Sequence, residues 1–371
     1  MTRIAAAWDS WARRVVVHTA DYLTFDGEPS PGGRQRHTRD LAEIVVKRWH
    51  RDVLIVQKGR RQFERLSPEG FPVIGVKCDV TSFGDPALGR FTQKLVGPTD
   101  AVVYADGEAA WPFFVNGAKG VQHGIWWDGE LSAVRRTFQR RRVLAFARAM
   151  RSILCVDTNF INWLRGQGRL GKELSCHCEY VPNYADSAKL PIREGALAQP
   201  ARLLFARRYE PKRGPLLFMD ALSRLVKRGI EFTAVMAVVG GSEINRELGR
   251  RNLQHIVDVR RADLDQVLTV YRDTDLAVVP TLWSEGTSFA CVEALASGVP
   301  VVATPVGGLG NLVLPGFNGV LVRPTADAVA QGIEDCLDPQ YWAQLHKGAL
   351  AMREALSRPW WEARVESWLK Q

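Results

Sequence analysis

The stretch SEGTSFACVEALASGVPVVAT, residues 284–304, carries two carboxylates, Glu285 and Glu293, with seven residues between them. Eight steps of about 1.5 Å set them roughly 12 Å or more apart. Paired carboxylates that work on one glycosidic bond sit about 5 to 9.5 Å apart, so this pair suits a long ligand touched at both ends. Between them Gly286, Thr287 and Ser288 offer backbone N–H groups and a hydroxyl cap at a helix N-terminus, where anions bind. A diphosphate flanked by two hydroxyl-bearing groups fits that pattern, and a nucleotide sugar is such a ligand. Two surface glutamates around an ordinary cap are the bland alternative.

A second set of charges lies upstream. In LLFARRYEPKRG an apolar run ends and a loop presents Arg207, Arg208, Lys212 and Arg213 before Gly214. Fixed cations of this kind stabilise charge building up on a departing diphosphate, which is electrostatic catalysis. No Asp-x-Asp pair stands ready to hold a divalent ion, so neither a metal nor another cofactor is expected.

The elements that must position these groups are readable on either side. Leu276-Ala277-Val278-Val279-Pro280 is apolar on consecutive positions and closed by proline, as in a parallel strand buried on both faces. Phe289, Val292, Leu295 and Ala296 follow at helical spacing, Gly298 stands where a helix ends, and Val299–Thr304 reads as the next strand. This βαβ unit puts both acids near the carboxyl edge of the sheet, where open parallel sheets bind ligands. The same alternation recurs along the chain. RRVVVH, DVLIVQKG, FPVIGVKCDV and DAVVYADG read as strands of one half, with Leu41, Ile44 and Val45 on one side of an intervening helix. ARLLFARR, FTAVMAVV, IVDV, DLAVVP and GVPVVAT read as strands of another. Periodicity lapses between Pro182 and Pro200. The expected organisation is therefore residues 1–186, a linker at 187–200, a second domain at 201–355 and a terminal segment at 356–371.

Composition sets outer bounds. The 371 residues are 46% hydrophobic and 24% charged, enough for two α/β domains with full cores. No apolar run reaches the roughly 18 residues of a membrane span, and MTRIAAAWDSWARR lacks the long apolar region of a signal peptide, so a cytoplasmic location is expected. The six cysteines suggest no disulfide framework, and Cys176-His177-Cys178 lacks a second ligand pair at zinc-site spacing. Of the net charge of +9, a net of +7 lies before Lys189, where 27 Lys and Arg oppose 20 Asp and Glu. RRTFQRRRVLAFARAMR, residues 135–151, is the densest basic part. It reads either as a solvated helix face or as a surface for anionic lipid headgroups at the inner face of a membrane or a lipid-diphosphate acceptor. Without a recognised module, nucleic acid is not an expected partner.

The 284–304 run, with its flanking strands, resembles the donor-site signature of the retaining glycosyltransferases of family 4, and the resemblance extends over most of the chain. It implies the α/β GT-B fold: two Rossmann-like doubly wound domains facing each other across a cleft, with acceptor on the N-terminal one and donor on the C-terminal one. It also implies transfer of a sugar from a UDP- or GDP-type donor to an acceptor hydroxyl, in glycan, glycolipid or glycoside biosynthesis. By resemblance Glu285 contacts the sugar, Glu293 binds the ribose, and Gly286 to Phe289 lie against sugar and phosphates. The basic loop contributes one arginine and one lysine or arginine to the diphosphate: counting back from Gly214 selects Arg208 with Arg213, and counting from the strand selects Arg207 with Lys212. Gly32-Gly33 resembles the glycine pair beside the donor phosphate and acceptor. QHGIWWDG resembles the loop whose histidine, here His123, faces the donor sugar, with Asp128 on the acceptor side. EYVPNYAD resembles the strand entering the linker, and PWWEARVESWLKQ the terminal helix that returns to the first domain. Front-face displacement, in which the leaving phosphate helps deprotonate the acceptor, is carried over from the family. One departure stands out: Asn311 occupies a place where the family commonly has an acid. A sugar-nucleotide epimerase of the same fold and a non-catalytic sugar-nucleotide-binding partner are the rival readings.

Overall fold

The computed structural model describes residues 8–371 apart from residues 31, 82–83, 126–131, 262–267 and 284. The chain divides into two compact units, one formed by most of the residues up to Val181 together with Glu362–Gln371, the other mainly by Pro182–Trp361.

The first unit is built on eight strands: β1 Arg14–His18, β2 Asp52–Gly59, β3 Phe63–Leu66, β4 Pro72–Lys77, β5 Asp100–Tyr104, β6 Ala118–Gln122, β7 Met150–Cys155 and β8 Cys178–Tyr180. They pair in the order β3-β4-β2-β1-β5-β6-β7-β8. All pairs are parallel except β3 with β4. Val15, Val16 and Val17 of β1 are fully buried, which explains the unbroken apolar run of a strand covered on both faces. Sequence periodicity does not announce β3: its FERL is mostly exposed, as suits an edge strand whose charges discourage further pairing. The helix Gly33–Glu43 continues as a π turn over Ile44–Arg48, and Leu41, Ile44 and Val45 are all buried. From β1 the order runs outward both ways, so the carboxyl ends of β1 and β5 flank the switch point of the sheet.

The second unit is a six-stranded parallel sheet. Its strands are β9 Ala201–Ala206, β10 Phe232–Val238, β11 Val257–Arg261, β12 Leu276–Val279, β13 Val301–Ala303 and β14 Gly319–Leu321, in the order β11-β10-β9-β12-β13-β14. Its switch point falls between β9 and β12, which pair through Leu203 with Leu276 and Leu204 with Ala277. The basic loop and the acidic helix therefore leave neighbouring strands at the same edge.

The boundaries differ from those expected. Residues 187–200 lack periodicity yet are not a free linker. Arg193 in their middle donates to Asp275 at 2.6 Å, the same carboxylate accepts the Arg202 backbone N–H at 2.8 Å, and Leu190 is buried. A buried ion pair with one partner on this segment ties it to the second sheet. The terminal helix is Arg358–Lys370, and its change of unit falls inside it, between Trp361 and Glu362. Trp361 packs on Tyr184 with ring centroids 4.1 Å apart. At the other end the Lys119 ammonium donates to the carbonyls of Trp368 and Leu369 and lies 4.6 Å from the Trp8 ring centroid. A cation at a helix C-terminus complements the dipole there.

Candidate active site

The second unit concentrates charge where β9 and β12 end. Arg207 is the first residue after β9, and its backbone N–H donates to Ala237 of β10 at 3.1 Å. Its guanidinium donates to the Thr281 hydroxyl at 2.5 Å and to Glu285 Oε2. Arg213 ends the short 3-10 turn Pro211–Arg213 and donates to the same Oε2. Thr281 adds its hydroxyl at 3.3 Å. The side chains of Arg207 and Glu285 are 4% and 9% exposed. Burial pushes the Glu285 carboxyl up, yet Arg207 and Arg213 outweigh it and hold the group below the usual carboxylate range. Burial also lowers the Arg207 pKa, with Glu285 opposing.

Close backbone approach makes this possible. Gly214, at φ +75°, carries the chain past the end of β12, where a Cβ would stand 2.0 Å from the Pro280 carbonyl. Gly307 and Gly308 pack under the acidic loop in the same way; a Cβ on Gly307 would lie 1.8 Å from the Glu285 carbonyl.

The side chains of the basic loop divide along neither count. Arg207 and Arg213 turn inward to Glu285, whereas Arg208 and Lys212 turn outward to Glu210, at 3.0 and 3.5 Å. Adjacent residues leaving a strand point to opposite sides, so only one of Arg207 and Arg208 can enter.

Glu293 lies in the helix Phe289–Ala296, is 5% exposed, and accepts the Tyr271 phenol at 3.3 Å. Ser288 stands at the N-cap, but its side chain makes no capping hydrogen bond. Thr287 is 1% exposed, and its hydroxyl accepts the Asn183 backbone N–H at 2.8 Å while its carbonyl accepts from the Asn183 amide. Asn183 therefore steadies the loop that holds Gly286. Phe289 packs edge-on against Tyr184, with centroids 5.7 Å apart. Sequence reasoning missed Thr281 and Asn183. A hydroxyl directly after a buried strand was the available signal for Thr281.

The first unit gathers its polar groups at its own switch point. Gly32 precedes the helix that begins at Gly33, and the Arg34 guanidinium reaches Asp106 at 2.7 Å and Asp21 at 3.0 Å. His123 follows β6, and its Nε2 lies 2.9 Å from the Ala105 carbonyl, which only accepts and so requires the Nε2–H tautomer. Burial, with Arg34 adding to it, pushes His123 down to about 4. His37 packs edge-on against it. His18 ends β1 and is pushed down to about 3 by burial. Asp128 lies outside the described residues. Among the described residues no cluster of three metal-ligating side chains occurs, and the cysteines are free thiols.

Residues 200–339 match the family described as Glycosyl transferases group 1. That stretch is a glycosyl transferase group 1 domain. It contains every group on the clamp around Glu285. A D-inositol 3-phosphate glycosyltransferase of Catenulispora acidiphila is 36% identical over 134 residues, 33% of this chain and 31% of that protein. Such matches span about a third of the length of the curated relatives. Two solved structures follow nearly the whole chain. Sucrose-phosphate synthase from Thermosynechococcus elongatus has a TM-score of 0.75 at 16% identity, covering 96% of this chain and 98% of that one. HepE of Anabaena, solved in complex with UDP, has a TM-score of 0.71 at 18% identity, covering 96% and 99%. The fold of the two Rossmann-like units is that of the GT-B glycosyltransferases. No described helix is long and apolar enough to cross a membrane.

Proposed function

We propose that the protein is a retaining glycosyltransferase of family 4 that moves a sugar from a nucleotide-diphosphate sugar to an acceptor hydroxyl without a metal ion, in the making of a glycan, glycolipid or glycoside. The observation that carries this reading is the convergence of Arg207, Arg213 and Thr281 on Glu285 at the switch point of a sheet whose domain matches group 1 glycosyl transferases. In this reading Glu285 accepts sugar hydroxyls and Glu293 accepts the ribose hydroxyls. Arg213, supported by Arg208, Lys212 and the backbone N–H groups at Gly286–Ser288, neutralises the diphosphate as it leaves. Permanently charged guanidiniums and a helix N-terminus leave little for a metal to do. His123 and Gly32-Gly33 meet donor and acceptor from the first unit. Displacement proceeds on the front face, the leaving phosphate taking the acceptor proton.

The membrane enters the same reading. On the helix Ala133–Ala149, Arg135, Arg140, Arg141 and Arg148 are exposed together with Val134 and Phe138, a combination suited to peripheral contact with anionic lipid.

HepE binds UDP and UDP-glucose, which makes UDP-sugars the first donors to try, followed by GDP-sugars; D-inositol 3-phosphate is the first acceptor. Thermal stabilisation by one of these donors, then product formation in excess EDTA with the donor's anomeric coupling kept in the NMR spectrum, is the expected outcome. Activity abolished by EDTA and restored by magnesium or manganese overturns metal independence, and an inverted coupling overturns retention. Conversion of donor without acceptor points to an epimerase instead.

A further inference from the structure

The partners of Glu285 are distributed unevenly over its two oxygens. Arg207, Arg213 and the Thr281 hydroxyl all reach Oε2, and among the described residues no hydrogen bond falls on Oε1. Thr281 accepts from Arg207 and passes its own proton toward the carboxylate, so the three groups form one chain of bonds. The backbone beneath is held as well, since the Thr304 hydroxyl donates to the Thr281 carbonyl at 2.5 Å.

The two arginines are not equivalent. Arg207 is 4% exposed at the side chain, hangs from the end of β9, and donates to Thr281 and Glu285 inside the clamp. Arg213 is 16% exposed, sits on a turn, and also lies 3.8 Å from Glu210 on the outward side. A guanidinium as buried as Arg207 cannot leave its carboxylate without stranding two charges. Arg213 has a second anion within reach and can be shared with an incoming phosphate.

We propose that Arg207 is a positioning residue and not a diphosphate ligand: with Thr281 it pins Oε2 so that Glu285 stays ionised and presents Oε1 alone as the acceptor for a sugar hydroxyl. This rests on the reading of Glu285 as the sugar-contacting acid. The titratable and charged groups that face Glu285 are Arg207 after β9, Arg213 on the turn, and Cys291 on the following helix, whose thiol burial pushes up and leaves neutral. Removing Arg207 therefore leaves burial opposed by Arg213 alone.

The test uses the full chain with glutamate labelled at Cδ, the Glu285 signal being the one lost in Glu285→Gln. In the unsubstituted protein that signal titrates below the usual carboxylate range. In Arg207→Met it moves up by a pH unit or more, in Thr281→Val it moves up by less, and in Arg207→Lys it stays near the original value because a cation is restored. Calorimetry supplies the second arm, with UDP, GDP and dTDP as probes. Arg207→Met leaves the affinity for the bound nucleoside diphosphate within about threefold, whereas Arg213→Met weakens it about tenfold or more. A Glu285 titration unmoved in both Arg207→Met and Thr281→Val overturns the proposal, as does a loss of nucleoside diphosphate affinity in Arg207→Met equal to that in Arg213→Met. If Arg207→Met does not fold, Thr281→Val and Arg207→Lys still decide the titration arm. Should no nucleoside diphosphate bind the unsubstituted protein, the glycosyltransferase reading fails while the carboxylate titration still decides the clamp.

Discussion

The two sheets carry polar groups at the same topological place and solve the electrostatics in opposite ways. At the β9/β12 edge the groups are permanently charged, buried and opposed: two guanidiniums on one carboxylate oxygen. At the β1/β5 edge the buried groups are histidines held neutral by desolvation, and the ion pairs, Arg34 with Asp21 and Asp106, sit where solvent reaches them. A site with prepaid charge is suited to an anion of fixed kind, because its dipoles and cations need no rearrangement when the anion arrives. Neutral imidazoles beside carboxylates suit hydroxyl-bearing partners, and their protonation remains sensitive to burial. One unit gathers opposed permanent cations and a carboxylate at its switch point, and the other gathers neutral hydrogen-bonding rings.

The sharpest way to break that contrast is Glu285→Ala. It leaves Arg207 and Arg213 facing each other in a buried site, and loss of one partner of such a network costs about 3 to 5 kcal/mol. Urea unfolding followed by a probe in the second unit should show a drop of that size; a drop below about 1 kcal/mol would mean that the clamp is solvated and the contrast false.

Next in size, Arg213→Ala should lower turnover about 100-fold, the scale on which one donor to developing charge acts, with a smaller loss of donor affinity. Arg208→Ala, whose side chain is 49% exposed and paired with Glu210, should cost less than Arg213→Ala. Steady-state kinetics on both variants checks the order, and the reverse order would return the phosphate contact to the outward-facing residue.

Acidification probes the first unit selectively. His18 and His123 bind a proton at about 3 and about 4 when folded, against about 6.5 when unfolded. Between pH 6.5 and 4 the unfolded chain therefore binds more protons, and the first unit should lose about 1.4 kcal/mol per histidine for each pH unit lowered across that window. Glu285 has the same sign in a lower window: its folded pKa is depressed, so its contribution is full above the unfolded value and fades only as pH falls toward the folded one. Pulse-labelled hydrogen exchange from pH 7 to 5 should show the first unit opening before the second, and His18→Gln should reduce the difference. Equal opening of both units would erase the distinction drawn from the histidines.

The smallest expected effect concerns the surface of the first unit. Each exposed arginine near an anionic bilayer contributes about 1 kcal/mol, so Arg140→Gln with Arg141→Gln should weaken sedimentation with phosphatidylglycerol vesicles about 30-fold and leave phosphatidylcholine binding unchanged. Retained binding in that double variant would reduce the basic helix to a solvated face.

The amino-acid sequence by itself determined the βαβ unit around Glu285, since buried parallel strands must be apolar on consecutive positions and the helix between them needs its own period and a glycine stop. It determined as well that four cations and one acid lie in the loops that follow strands, with a second acid in the helix beyond. It did not reveal β3, whose exposed residues need no apolar pattern, nor that residues 187–200 pack onto the second sheet through Arg193 and Asp275, a pairing 82 positions apart. Above all it left Arg207 and Arg208 undecided. Both stand at the same strand end with the same charge, and local spacing offers each a phosphate. Only the pairing of β9 with β12 brings Glu285 and Thr281 to one side of that end, across 78 and 74 positions of chain, and the side chain that can neutralise a buried carboxylate there is the one that turns in.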